Sequence, residues 1–147
     1  MPAAAEAQPA GFGRRLAAML YDSLLVFAVA FFAGLAFFAV AGDAQSAPKR
    51  QAFQVYLFLV LGAYFVLCWR RGGTLAMRTW RLRLVRADGG PVGLVQAWLR
   101  YALAWPSLLL LGAGVLWALA DRDRQFLHDR LAGTRVALDP PRAADSA

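Results

Sequence analysis

Residues 11–40, GFGRRLAAMLYDSLLVFAVAFFAGLAFFAV, decide the fold. From Leu16 to Val40 there are 25 residues with a single ionisable side chain, Asp22. A helix of that length crosses about 30 Å of hydrocarbon with some tilt. Arg14 and Arg15 stand at its mouth, where a positive-inside bias places the cytoplasmic end. An aspartate within such a helix costs at least about 2.5 kcal/mol unless it finds a partner or water, so Asp22 is a functional-site candidate by default. The same stretch imitates a secretory signal, with a twin arginine, an apolar run and Ala39-Val40-Ala41. Its apolar run exceeds a signal core and further apolar segments follow, so an uncleaved first helix is expected.

Working outward, residues 52–69 form a second apolar segment of 18 residues, with Trp69 placed as an interfacial anchor and Gln54 at headgroup level. Residues 42–51 read as a short polar loop before it. Residues 94–120 form a third segment, interrupted by Arg100 and Pro106. Proline removes a backbone donor, so this segment is either one tilted span or a pair of short helices that returns, with its break at Pro106 or at Gly112-Ala113-Gly114. Between the second and third segments the pattern changes. RRGGTLAMRTWRLRLVR (70–86) carries six arginines, and its last seven residues alternate apolar with basic, as a strand does. Thr134–Leu138 is a second strand candidate, and a strand needs a partner for its backbone groups; the nearest is Leu82–Arg86. That pairing requires the third segment to return. Residues 121–131 read as a short interfacial helix ended by Gly133.

Composition agrees. The 147 residues are 60% hydrophobic and 17% charged, which argues against a soluble domain. The net charge of +7 comes from 15 arginines and Lys49, clustered beside apolar segments, so topology and anionic lipid account for it without nucleic acid. Lone Cys68 lies in an apolar run and has no partner for an internal disulfide. No Walker loop or cofactor fingerprint occurs, and one histidine, His128, with Asp129 and Asp121 is too few ligands for a metal and too thin for catalysis. No catalytic, cofactor-binding or metal residue is therefore assigned, and no enzyme is expected.

GRRLAAMLYDSLL (13–25), GGTLAMRTWRLRLVRADGGPV (72–92), AWLRY (97–101) and RQFLHDRLAGTRVAL (124–138) together resemble the RDD family of bacterial membrane proteins. The resemblance covers residues 11–138 and rests on the order and spacing of four blocks. It places the family's arginine at Arg15, its first aspartate at Asp22 and its second at Asp129; Ala76 stands where the family often has glycine. It implies a multi-pass protein of the bacterial inner membrane, with transport of an unidentified ligand as the usual suggestion.

The expected fold class is all-α membrane: two clear transmembrane helices, a third kinked or re-entrant segment and a small cytoplasmic β-hairpin-like cap, between tails at 1–10 and 139–147. Arg15 and Asp22 are about 10 Å apart along one helix, too far for a direct pair. Cross-pairing is expected instead, with Arg100 neutralising Asp22 and Asp129 meeting Arg15. Two functions fit. One is a small transport component carrying a proton, a cation or an unidentified ligand, working as a homo-oligomer or with other membrane proteins. The other is a non-catalytic membrane module that assembles with partners. The lipid bilayer is a partner in both.

Overall fold

The structure, a computed structural model, describes residues 10–110, 112–122 and 125–139. Of the tails expected at 1–10 and 139–147, residues 1–9 and 140–147 lie outside them. Six helices and two strands follow in the order α1 (Phe12–Ala41), α2 (Ala47–Arg70), α3 (Leu75–Thr79), β1 (Leu82–Arg86), α4 (Leu94–Leu109), α5 (Ala113–Ala120), α6 (Leu127–Leu131) and β2 (Thr134–Leu138).

Helix α1 has 30 residues, so it is about 45 Å long. It ends where Gly42 takes a left-handed conformation and returns its N–H to Phe38 O. Its outer face exposes Leu20, Leu24, Phe27, Phe32 and Leu35, the composition a lipid-facing helix requires. Helix α2 begins earlier than the expected residue 52. Proline fits the first turn of a helix, and Pro48 sits there, so half of the supposed loop is helical. What remains of that loop is closed by Lys49 Nζ, which donates to Asp43 Oδ2 at 2.9 Å and to Ala41 O at 3.2 Å. Against α1, helix α2 places Phe53 between Phe37 and Phe38, with ring centroids 5.0 and 5.2 Å apart. Gly34 lies against Phe53, where a Cβ would make an ordinary contact with the ring at 3.7 Å.

Helices α1 and α2 are each long and apolar enough to cross a membrane; α4 and α5 together reach that length but differ in direction by 94°. The bend does not fall at Pro106, which lies inside α4. It falls after Leu109, where Gly112 adopts φ 72° and Gly114 comes against Ser107 so closely that a Cβ would be 2.4 Å from that of Ser107. Helix α4 also packs on α2, where Trp98 occupies the space beside Gly62 and Tyr101 Oη donates to Phe58 O at 2.9 Å.

The strands pair antiparallel, with Leu84 opposite Val136. Since β1 precedes α4 and β2 follows α6, residues 94–120 leave and return to the same end of the molecule. The cap is a long-range ladder rather than a hairpin. Ala10 joins it by donating its N–H to Val136 O at 3.3 Å, so this residue belongs to the fold and not to a tail. Of the helix expected over 121–131, the described residues form Leu127–Leu131, and Asp121 accepts from Gln125 N and from Arg130.

Candidate functional site

The motif residues gather around one cavity of about 290 Å³ between α1 and α4, floored by α2 and the cap. Helix α1 supplies Arg15 and Asp22 one above the other, seven residues apart on one face. Helix α4 supplies Arg100, and the segment before β2 supplies Phe126 and His128. The rest of the wall is mostly apolar, with Val26, Leu61, Phe65 and Trp105 prominent beside Ser23 and Tyr101.

The charges are not paired as expected. Arg100 Nε donates to Asp129 Oδ1 at 2.5 Å, with the arginine side chain 8% exposed and the aspartate fully buried. The Arg100 guanidinium lies 4.2 Å from the centroid of the Trp69 ring, a cation–π contact. Asp22 is within electrostatic reach of Arg100 but takes its hydrogen bond from Thr74 Oγ1, at 2.8 Å. Thr74 is the N-cap of α3, and the same oxygen accepts from Met77 N at 3.2 Å. A hydroxyl donates once and accepts as well, so Thr74 serves both roles.

Arg15 is not bonded to Asp129, though both Asp129 and Asp121 lie within its electrostatic reach. It is 3% exposed, its guanidinium is 5.0 Å over the Phe126 ring, and its Nε and Nη2 have no hydrogen-bond partner among the described residues. The Phe126 ring also stacks with His128, at 5.6 Å and 25°. Burial pushes the His128 imidazole down to about 4, with Arg100 adding to the effect and Asp129 opposing it. It is neutral at physiological pH, its Nε2 3.8 Å from Asp129 Oδ1 and its Nδ1 unpartnered. Asp22 Oδ1 is likewise unpartnered. Buried polar atoms are nearly always satisfied; among the described residues six carry a buried atom without a partner, three of them, Arg15, Asp22 and His128, lining this cavity and the others being Arg83, Asp129 and Arg135. Among the described residues no three metal-ligating side chains gather as a metal site.

The RDD family model matches residues 9–133, a range that contains Arg15, Asp22, Arg100 and Asp129. The chain belongs to the RDD family. The RDD chain is also similar to the uncharacterized protein YckC of Bacillus subtilis (strain 168), with 30% identity over 139 residues that cover 91% of this chain and 87% of the relative. No solved structure matches. Within this RDD domain the motif arginine and first aspartate face one cavity, while the second aspartate lies behind it, holding Arg100.

Thr74, Trp69 and Phe126 were not singled out from the sequence as parts of the site. A threonine after Gly72-Gly73 and before an apolar turn is a legible N-cap. Its bond to an aspartate 52 residues earlier is not, and neither are the ring contacts, since aromatic residues in apolar runs carry no mark of the cation they face.

Proposed function

We propose that this protein is a small, non-enzymatic transport component of the bacterial inner membrane whose cargo occupies the cavity between α1 and α4. The observation that carries the reading is the convergence of Arg15, Asp22 and His128 on that cavity with buried atoms unpartnered. A purely structural charge cluster would pair internally, as Arg100 Nε and Asp129 Oδ1 do, because unpaired charge in a low-dielectric interior is costly. Two long helices and one returning segment are too few to enclose a path, so the working unit is a homo-oligomer or a complex with other membrane proteins. The arginine-rich cap, with Arg70, Arg78 and Arg86, belongs in the cytoplasm by charge bias, together with the N-terminus.

The test is flux from liposomes containing the purified full-length protein, read with pH- and cation-sensitive dyes. Flux that Asp22→Asn abolishes in a folded protein supports transport. Equal flux from wild type and Asp22→Asn removes it. The assembly-module reading is favoured by the broad apolar face of α1, which no element covers among the described residues. It predicts stable co-purification with a membrane partner and no flux.

A further inference from the structure

Between Asp43 and Asp88 the sequence has no acidic residue, while six arginines fall in residues 70–86. Two of those arginines are answered within the cap. Arg86 meets Asp88 at 3.3 Å and Arg83 approaches Asp139 at 3.9 Å. Arg70, Arg71 and Arg78 are exposed, and among the described residues no carboxylate lies within ion-pair distance of them. These three share one place. Arg70 ends α2 and Arg71 is its C-cap, Gly72 and Gly73 turn the chain at positive φ, and Arg78 returns to donate Nη2 to Arg71 O at 3.2 Å. Arg71 and Arg78 are both within electrostatic reach of Cys68, about one turn back along α2. The C-terminus of a helix carries about half a negative charge, so the end of α2 balances only a fraction of the cluster.

A water-facing arginine cluster would account for charge alone, but this one is bordered by exposed apolar side chains. Helix α3 buries Ala76 and Met77 and turns Leu75 outward, 56% exposed, three residues before Arg78 and on its face; Trp80 just beyond is 41% exposed. On the other border, Leu59, Ala63 and Leu67 are exposed at intervals of four residues along α2, and Arg70 and Arg71 follow three and four residues beyond Leu67. Helix α2 is long and apolar enough to cross a membrane, so this face passes from acyl-chain depth to the level where the span leaves the hydrocarbon. Tryptophan concentrates at that level, and arginine lays its stem on apolar surface there with its head among phosphates.

We propose that the end of α2 is a docking site for one anionic phospholipid, its phosphate held by Arg70, Arg71 and Arg78, its chains on the Leu59–Leu67 face, and Leu75 and Trp80 at the headgroup boundary. Guanidinium forks match phosphate oxygens in shape as well as charge. A phosphocholine lipid brings its own cation into the cluster, whereas phosphatidylglycerol brings only the phosphate charge. Neither a nucleic acid nor an acidic peptide would cover the apolar face that the arginines continue. None of the three arginines lines the cavity between α1 and α4, so this site stands apart from the transport reading.

The experiment is a titration of the full-length protein, in mixed micelles of dodecylmaltoside and phosphatidylcholine, with phosphatidylglycerol carrying pyrene on one chain, read by energy transfer from tryptophan at physiological ionic strength. Wild type should saturate at one labelled lipid per chain, with half-saturation about tenfold below that of pyrene-labelled phosphatidylcholine. Binding should weaken about fivefold for each arginine removed, in Arg78→Gln and in the double change Arg70→Gln with Arg71→Gln. Arg86→Gln removes the same charge from the cap but from a residue already paired with Asp88, so affinity should hold. Thermal unfolding in the same micelles establishes that each variant is folded. Equal affinity of wild type for the two labelled lipids would overturn the proposal whatever the variants do. An equal loss in Arg86→Gln would replace the site by a diffuse positive field. Displacement of the labelled lipid by glycerol phosphate at matching concentration would show a soluble-phosphate site and overturn the lipid assignment.

Discussion

Replacing Asp129 by alanine strips the carboxylate from the buried ion pair with Arg100. Asp129 is fully buried, Arg100 is nearly so, and the Nε–Oδ1 distance is 2.5 Å. Without the carboxylate the guanidinium keeps only the Trp69 face, 4.2 Å away, a contact of about 2 kcal/mol when desolvated. Breaking a buried pair from one side costs about 3–5 kcal/mol, and asparagine, which retains a neutral acceptor worth about 1 kcal/mol, should cost roughly 2–4 kcal/mol. Removing both charges with Arg100→Met and Asp129→Leu should cost less than either single change, since no charge is then stranded. The assay is equilibrium unfolding in mixed micelles, followed by tryptophan fluorescence, for the two single variants and the double. Single losses that add to within about 0.5 kcal/mol would refute the reasoning. The matching cycle for Asp22→Asn and Arg100→Met should show a smaller coupling, because those residues share an electrostatic field but no hydrogen bond.

Thr74→Val should destabilise the fold by about 1–3 kcal/mol in the same unfolding assay, as it removes the N-cap of α3 and leaves Asp22 Oδ2 without its donor. His128 has a folded pKa of about 4 against about 6.5 unfolded, so the unfolded chain takes up the proton first. Its contribution is complete above pH 6.5 and declines toward pH 4, by on the order of 3 kcal/mol at about 1.4 kcal/mol per pH unit; the pH–stability curve of His128→Asn should lack that slope, and identical curves would show that His128 is not the group. Gly114→Val should push α5 off Ser107 and lower stability by about 1–3 kcal/mol, checked by the same unfolding curve. Cysteines at Arg81 and Asp139 should be labelled from the same side of the membrane, because Asp139 N donates to Arg81 O at 2.8 Å; labelling from opposite sides would break the β1–β2 cap.

The element types were legible because each rests on local physics: an uninterrupted apolar run for α1, basic–apolar alternation for β1, the unpaired strand at Thr134–Leu138 for the return of the third segment. Where local signals competed, the reading slipped. Pro48 was taken as loop punctuation although proline also suits a first helical turn, and Pro106 was weighed as a breaker although α4 carries it without ending. Sequence also gave no means of choosing among pairings. Two arginines and two aspartates near apolar segments admit Arg100 with Asp22 or Arg100 with Asp129, and charge alone does not separate them.

The choice turns on depth and on hydroxyls. Asp22 lies two helical turns above Arg15, beside the N-terminus of α3, where Thr74 meets it with a donor at 2.8 Å. Once a neutral donor serves Asp22, Arg100 has no need to reach it, and the nearer fully buried carboxylate on α6 takes the guanidinium. That settlement engages Asp129, the partner Arg15 was expected to have, and leaves Arg15 over Phe126 with Nε and Nη2 buried and unpartnered among the described residues. The open cation at the site is therefore a consequence of Thr74, a residue with no charge at all. Thr74→Val should accordingly do more than lower stability. With Asp22 unserved, Arg100 gains a reason to turn toward it, Asp129 is released, and Arg15 acquires a competing internal carboxylate. In the unfolding assay the coupling between Arg15→Met and Asp129→Asn should then be larger in a Thr74→Val background than in wild type, even though Thr74 touches neither residue's side chain by a hydrogen bond; unchanged coupling would mean that the pairing of Arg100 and the openness of Arg15 are independent.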